Sequence, residues 1–391
     1  MVSINEALDI IDSTTQHLLK IEKDISFAGG YCVAEDCISK IDFPPFDQSA
    51  MDGYAINNTG ECTSFKLVSE IKAGDNGVSF NLKSGEACRI FTGAMLPSGT
   101  HLVVKQEDVI VEDGFVNLTK VHTFGENIRL KGEQIKIGQT AVPQFSTLNP
   151  GAIGYLAMIG NKKVNVFKKP TISIIATGNE LVNLGEDLVL GKIYESNTHT
   201  LQAALKEFGF KATSSVVEDN KDAISLAIAD GIENSDLLLI TGGISVGDYD
   251  FVGGILKNQK VEELFYKVRQ KPGKPLFFGK KGNTLIFALP GNPAAVLTSF
   301  YIYILPVLQK MIGRKSSFLP MKKAKLSGVF DKTPNLGFFM KGLCENDCVS
   351  ILSAQSSAML SSFIEANCLI YLEEGKQHWE NGEEVQIYMI N

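Results

Sequence analysis

The sequence has little of what the commonest catalytic and binding signatures require. Its 391 residues include only five histidines, none in an H-E-x-x-H pair, which excludes the zinc-protease arrangement of two imidazoles on one helix face. It has no G-x-x-x-x-G-K-[ST] loop and no G-x-G-x-x-G after a first strand, so P-loop nucleotidases, ordinary kinases and dinucleotide dehydrogenases lose support. The seven cysteines are scattered without a C-x-x-C, and Cys344 with Cys348 is too isolated for a zinc site, so reduced and mostly buried thiols are expected. Positive charge is short too: 37 Lys and Arg against 44 Asp and Glu give a formal net charge of −7, the wrong sign for following a nucleic-acid backbone. The longest apolar stretch, 294–308, is interrupted by Thr298, Ser299 and Pro306 and is too short to span a bilayer. The opening MVSINEALDIIDS carries acids where a secretion signal carries bases. Neither membrane nor nucleic acid is an expected partner, and a soluble cytoplasmic chain is the expectation. Internal repeats and low-complexity segments are missing as well.

What is present is an ordinary globular balance, 44% hydrophobic and 21% charged, over a length that predicts two to four domains. Ile4, Ala7, Leu8, Ile11 and Leu18 fall near helical spacing, and Ser3 with Glu6 has capping-box spacing, so a helix opens the chain. Pro44-Pro45 then fixes an extended approach to a polar loop with Asp47, Ser49 and Asp52, which by themselves read as a turn network before a ligand rim. From 65 to 142, short apolar runs alternate with Gly, Asn and Asp turns, the rhythm of a small β-rich barrel or sandwich. From 171 to 309 strands and helices alternate: TISIIA, 212–217, DLLLIT, ELFYKV and TLIFAL, with helices near 197–208, 222–229, 250–257 and 292–310. That alternation predicts a doubly wound parallel α/β sheet. From 319 the chain turns β-rich again, and Asn381-Gly382 between alternating apolar runs predicts a hairpin in a small barrel or sandwich. The expected domains are 1–165, a linker region with an inserted β-rich domain; 170–312, the α/β domain; and 318–391, a C-terminal β domain.

The loops after the central strands carry the chemistry. ATGNEL supplies Glu180, VEDNKD supplies Asp219, TGGISVGDYD supplies Gly242, Gly243, Ser245, Asp248 and Asp250, and LPGNPAA supplies Pro290 and Asn292. Glycine turns and a helix start offer backbone N–H groups to an anion, whereas Glu180, Asp219 and Asp250 would repel it unless a cation lay between. Hard carboxylate oxygens beside a phosphate suit Mg²⁺, so a phosphate-bearing ligand with Mg²⁺ is the economical reading. KPGKP places Lys271 and Lys274 on a proline-stiffened turn, fit for an oxyanion or pyrophosphate, with a plain basic surface turn as the alternative. GISVG, 243–247, also spells the G-x-S-x-G of a serine hydrolase, although acids follow it and no histidine stands where that triad needs one.

Seven stretches in register, PPFDQSAMDGYA, IFTGAMLP, ENIRLKGE, ATGNEL, GGISVGDYD, KPGKP and LPGNPAA, resemble the molybdopterin molybdenumtransferase family (MoeA), which also supplies the E domain of gephyrin. The resemblance covers nearly the whole chain. It implies a central molybdopterin-binding domain, an elongated homodimer, and insertion of molybdate into adenylylated molybdopterin with Mg²⁺ and release of AMP. It further implies Glu180, Asp219 and Asp250 at Mg²⁺ and in catalysis, Lys271 and Lys274 near the anion, Ser357 with molybdate, and Asp52, Thr92 and Arg129 completing the site from a partner subunit. Lys341 stands where the family usually carries an Arg that helps hold molybdate, Asn179 where it often carries Asp, and His101 near another such Asp. Contact with the molybdopterin adenylyltransferase is an implied partnership. The alternatives are that adenylyltransferase activity itself, or a scaffold with a degenerate site.

Overall fold

The computed structural model describes all residues except 61, 78–79, 245–250, 316–317 and 391. The central region is an α/β unit whose elements follow the expected alternation: β1 (Ile172–Thr177), α1 (Asn197–Glu207), β2 (Ala212–Val217), α2 (Lys221–Asn234), β3 (Leu237–Thr241), α3 (Phe251–Asn258), β4 (Glu262–Tyr266), β5 (Phe277–Lys281), β6 (Thr284–Leu289) and the long helix α4 (Pro293–Met311). The sheet order is β2-β1-β3-β6-β5-β4. β2, β1, β3 and β6 run parallel, and β5 turns back antiparallel to both β6 and β4.

Strand alternation sorts the core into two layers. Ile172, Ile174, Leu237, Leu239, Leu285 and Phe287 face α1 and α4, while Ile175, Leu238, Ile240, Ile286 and Ala288 face α2 and α3. Burial on both faces explains why DLLLIT and TLIFAL read as unbroken apolar runs. Strand β5 is the element the sequence pattern misses, because FFGKK places a glycine and two lysines where alternation would be sought. Gly279 is there for space: a Cβ would meet the Glu262 carbonyl oxygen at 2.6 Å, beside the bulge in β4.

The opening helix, Ile4–Thr14, has the capping box, with Ser3 Oγ accepting from the Glu6 N–H at 3.2 Å and Glu6 Oε2 accepting from the Ser3 N–H at 2.6 Å. Its apolar face, Ile4, Ala7 and Ile11, is buried in the α1/α4 layer of the central unit. The backbone of Val2 bonds Lys267 and Arg269 on either side, so the first residues pack with the α/β region although the chain does not return there until residue 172. Lys20–Asp24 pairs with Lys163–Phe167 as the stem of the N-terminal part. Between them sits a six-stranded sheet with Gly53–Ile56 and Glu86–Ile90 near its middle and a separate apolar cluster on each face.

In the C-terminal part, Gly337–Glu345 pairs with both Cys348–Ile351 and Cys368–Leu372, which closes a five-membered ring through Met321–Ser327 and Glu384–Met389. The two apolar runs flanking Asn381-Gly382 do pair, Cys368 with Met389 through Tyr371 with Gln386. Their connection, however, detours through His378–Trp379, and the Asn381 side chain accepts from the Gly328 N–H at 2.8 Å. A turn tied to a neighbouring loop therefore replaces the expected tight hairpin.

Candidate functional site

A cleft of about 1020 Å³ opens at the carboxyl ends of β1, β2, β3 and β6. Register places the strand ends side by side: Thr177 of β1 lies opposite Val217 of β2, Ala176 opposite Thr241 of β3, and Thr241 opposite Leu289 of β6. Strand order reverses between β1 and β3, and a crevice at such a switch point is where open α/β sheets bind ligands.

Four loops leave those ends. After β1 come Gly178 and Glu180, whose carboxylate folds back over the Gly178 Cα. After β2 comes Asp219, held twice: Thr177 Oγ1 donates to its Oδ1 at 3.4 Å, and its N–H donates to Asn179 Oδ1 at 3.1 Å. After β3 come Gly242 and Gly243, at φ +90° and +62°. A Cβ on Gly242 would meet the Thr177 carbonyl oxygen at 2.2 Å, and one on Gly243 would meet Val252 at 2.7 Å, so glycine is required at both by close approach as well as by backbone conformation. After β6 come Pro290, Gly291 and Asn292.

The fifth wall is the KPGKP turn, with Lys271 and Lys274 on the cleft. Gln270–Lys271 adds a short parallel strand to the C-terminal ring at Gly337 and Phe338, and the Lys271 ammonium lies 5.2 Å from the Phe338 ring centre. Behind the turn, Gln270 is fully buried; its Nε2 donates to the Gly273 carbonyl at 3.1 Å and its Oε1 accepts from the Tyr303 hydroxyl. The loop carrying Ser357 closes the remaining side.

The structure thus gathers Glu180, Asp219, Gly242, Gly243, Lys271, Lys274, Pro290, Asn292 and Ser357 around one cleft. Ser245, Asp248 and Asp250 lie outside the described residues. No cluster of three or more His, Cys, Asp or Glu placed to hold a metal occurs among the described residues; of the expected three carboxylates Glu180 and Asp219 line the cleft, and Asp250 lies outside the described residues. No histidine lies among the described residues lining the cleft, and Ser245 of the G-x-S-x-G spelling lies outside the described residues.

Two expectations are corrected. The start of α4 does not offer free amides to an anion, because the Ala294 and Ala295 N–H groups already donate to the Ser357 carbonyl at 2.9 and 3.3 Å. Lys341 does not line the cleft either. It is 3% exposed, with its ammonium turned into the 354–359 loop.

Asp52, Thr92 and Arg129 stand apart from this cleft in the N-terminal β region, where their three motifs are woven together. Asp52 Oδ1 accepts from the Thr92 N–H at 2.7 Å and its hydroxyl at 2.8 Å, which holds the carboxyl below its ordinary range. Arg129 pairs through its backbone with Gln48, and the Ser49 and Gly93 backbones bond across the same junction.

Sequence reasoning missed Glu195 and Asn197. Buried Glu195 caps the start of α1, Oε1 accepting from the Thr198 N–H at 2.9 Å and Oε2 from the Thr198 hydroxyl. Asn197 Nδ2 donates to Thr241 Oγ1 at 2.8 Å and to the Gly291 carbonyl at 2.9 Å, clamping the β3 and β6 ends. A carboxylate and a hydroxyl three apart at a helix start was the available signal.

Comparison with known proteins agrees along the chain. Residues 2–160 match the MoeA N-terminal region (domain I and II), 173–310 a probable molybdopterin binding domain, and 323–390 the MoeA C-terminal region (domain IV). The molybdopterin molybdenumtransferase of Haemophilus influenzae is 33% identical, with 92% of this chain and 91% of the relative covered. That of Staphylococcus epidermidis is 31% identical, with 99% and 95% covered. The crystal structure of the molybdopterin biosynthesis moeA protein from Pyrococcus horikoshii OT3 has a TM-score of 0.84 at 28% identity, each chain covered fully. The chain therefore belongs to the molybdopterin molybdenumtransferase (MoeA) family, enzymes of molybdenum cofactor biosynthesis.

Proposed function

We propose that this cleft binds adenylylated molybdopterin and Mg²⁺, inserts molybdate, and releases AMP. The observation that carries the reading is that Glu180, Asp219, Lys271 and Lys274 line one cleft, two carboxylates and two ammonium groups around one space besides the buried Glu195 that caps α1. Mg²⁺ binds through one or two carboxylates while keeping waters and substrate phosphates, so Glu180 and Asp219 suffice as protein ligands, with Asp250 a further candidate. Bound there, the ion would neutralise phosphate charge. Thr177 Oγ1 donates to the Asp219 carboxylate, and Asn179 Oδ1 fixes the Asp219 backbone by accepting from its N–H. The lysines would draw the pyrophosphate and stabilise charge on the departing AMP phosphate. The tight Gly242-Gly243 turn lets a ligand approach the backbone closely. Asn197 Oδ1 is buried at the cleft without a protein partner among the described residues and fits as an acceptor for a ligand hydroxyl or amine.

In this reading Asp52, Thr92 and Arg129 complete the site from the second protomer of a homodimer, which accounts for their standing apart from the cleft of their own chain. The substrate would come from the molybdopterin adenylyltransferase in the cytoplasm. The test is to incubate the purified full-length chain with adenylylated molybdopterin, Mg²⁺ and molybdate and to quantify AMP by chromatography. Molybdate-dependent AMP release that disappears with Glu180→Ala is expected. No release above the protein-free control would refute the reading and favour a scaffold.

A further inference from the structure

Lys341 is a buried cation with no obvious anion. Its Nζ donates to three backbone carbonyls of one loop, Ala354 at 2.8 Å, Met359 at 3.0 Å and Ser356 at 3.4 Å, and lies 5.6 Å from the Phe363 ring centre. Burial alone pushes the ammonium below its ordinary pKa, and no carboxylate among the described residues offsets that. The backbone of Lys341 is tied into the same loop: its N–H donates to Gln355 Oε1 at 3.0 Å and its carbonyl accepts from Gln355 Nε2 at 2.8 Å. The loop encloses the ammonium much as a ligand cage encloses an ion, and Ala354 takes a left-handed φ of +57° to do so.

What the loop presents is Ser357. Its carbonyl accepts from the Ala294 and Ala295 N–H groups at the start of α4, and the residue lines the cleft. A continuous path thus runs from the C-terminal ring, through Lys341 and the 354–359 loop, to the helix start beside Asn292.

Resting on the molybdate-insertion reading of the cleft, we infer that Lys341 is a positioning residue: its charge organises the 354–359 loop and so places Ser357 for the oxyanion, without itself touching the substrate. Three charge-assisted hydrogen bonds from one donor are what a neutral side chain of equal length does not supply. In Lys341→Met the stem still fills its pocket, but three carbonyls lose their donor.

The test compares full-length wild type with Lys341→Met by hydrogen exchange and by AMP release. Amide exchange is expected to quicken by about tenfold or more both in 352–360 and at Ala294 and Ala295, with the β1 to β3 strands unchanged. The KM for molybdate is expected to rise about tenfold while that for adenylylated molybdopterin stays within about twofold. Unchanged exchange in the two segments overturns the inference, and a raised molybdate KM with unchanged exchange does so by showing direct contact. Should Lys341→Met fail to fold, Lys341→Gln removes the charge while keeping a shorter polar donor beside the Ala354, Ser356 and Met359 carbonyls. It should quicken the same two segments, and unchanged exchange there overturns the inference. If wild type releases no AMP, the proposed function fails while the exchange comparison still judges Lys341.

Discussion

Gly242→Ala probes the geometry on which the cleft depends. The new methyl would stand 2.2 Å from the Thr177 carbonyl oxygen, whereas a carbon and a carbonyl oxygen in contact need about 3.3 Å, so β1 and β3 must part by roughly 1 Å at their ends. Backbone φ is +90°, which costs an alanine about 1–2 kcal/mol that glycine does not incur. Overpacking of a tight interior adds about 1–3 kcal/mol, giving a loss of about 2–5 kcal/mol in all. At about 1.4 kcal/mol per tenfold, the folding equilibrium weakens at least thirtyfold or so. Gly291→Ala is the matched control on the same cleft: its φ is not positive and a Cβ there meets nothing within 4 Å, so a change within about 0.5 kcal/mol is expected. Urea unfolding of both variants, followed by circular dichroism and compared at equal m-values, provides the measurement. If Gly242→Ala costs no more than Gly291→Ala, close packing of the β1 and β3 ends is not what the glycine pair serves.

Two further outcomes follow from the same structure. Tyr303→Phe leaves buried Gln270 Oε1 without its donor and should cost about 1–3 kcal/mol, with the Lys271 to Lys274 turn exchanging faster; a loss under about 0.5 kcal/mol would show that water or another donor serves as well. Asp52 has a depressed folded-state pKa, so its contribution is present above the unfolded value near 3.9 and fades as pH falls through the lower folded value. Asp52→Asn should therefore lower the unfolding midpoint at pH 7 and converge on wild type in acid below about pH 4; a gap constant across that window would mean the carboxylate charge is not what Thr92 recognises.

Much of the architecture was written in local pattern. Period-2 and unbroken apolar runs marked five of the six central strands, because burial on both sheet faces forces the same residue types wherever such a strand occurs. Ser3 and Glu6 announced the first helix, since a capping box needs only residues three apart. Each site loop was legible for a related reason: Gly242-Gly243, KPGKP and PGNP follow strand ends, and chain order alone says that a parallel sheet collects such ends at one edge.

What depends on meetings between distant segments was not legible. The opening helix reads as part of an N-terminal domain, yet it is buried against α4. Lys341 reads as a cation for an anion, yet the curl of a loop 13 to 18 residues further on wraps three carbonyls around it. The start of α4 reads as a free anion site, yet Ser357, more than sixty positions away, fills it. Local sequence fixes what each segment can bond, because propensity, capping and glycine conformation act within a few residues. Which carbonyl or carboxylate reaches a given donor is decided by packing over tens of residues, and only the folded chain selects it.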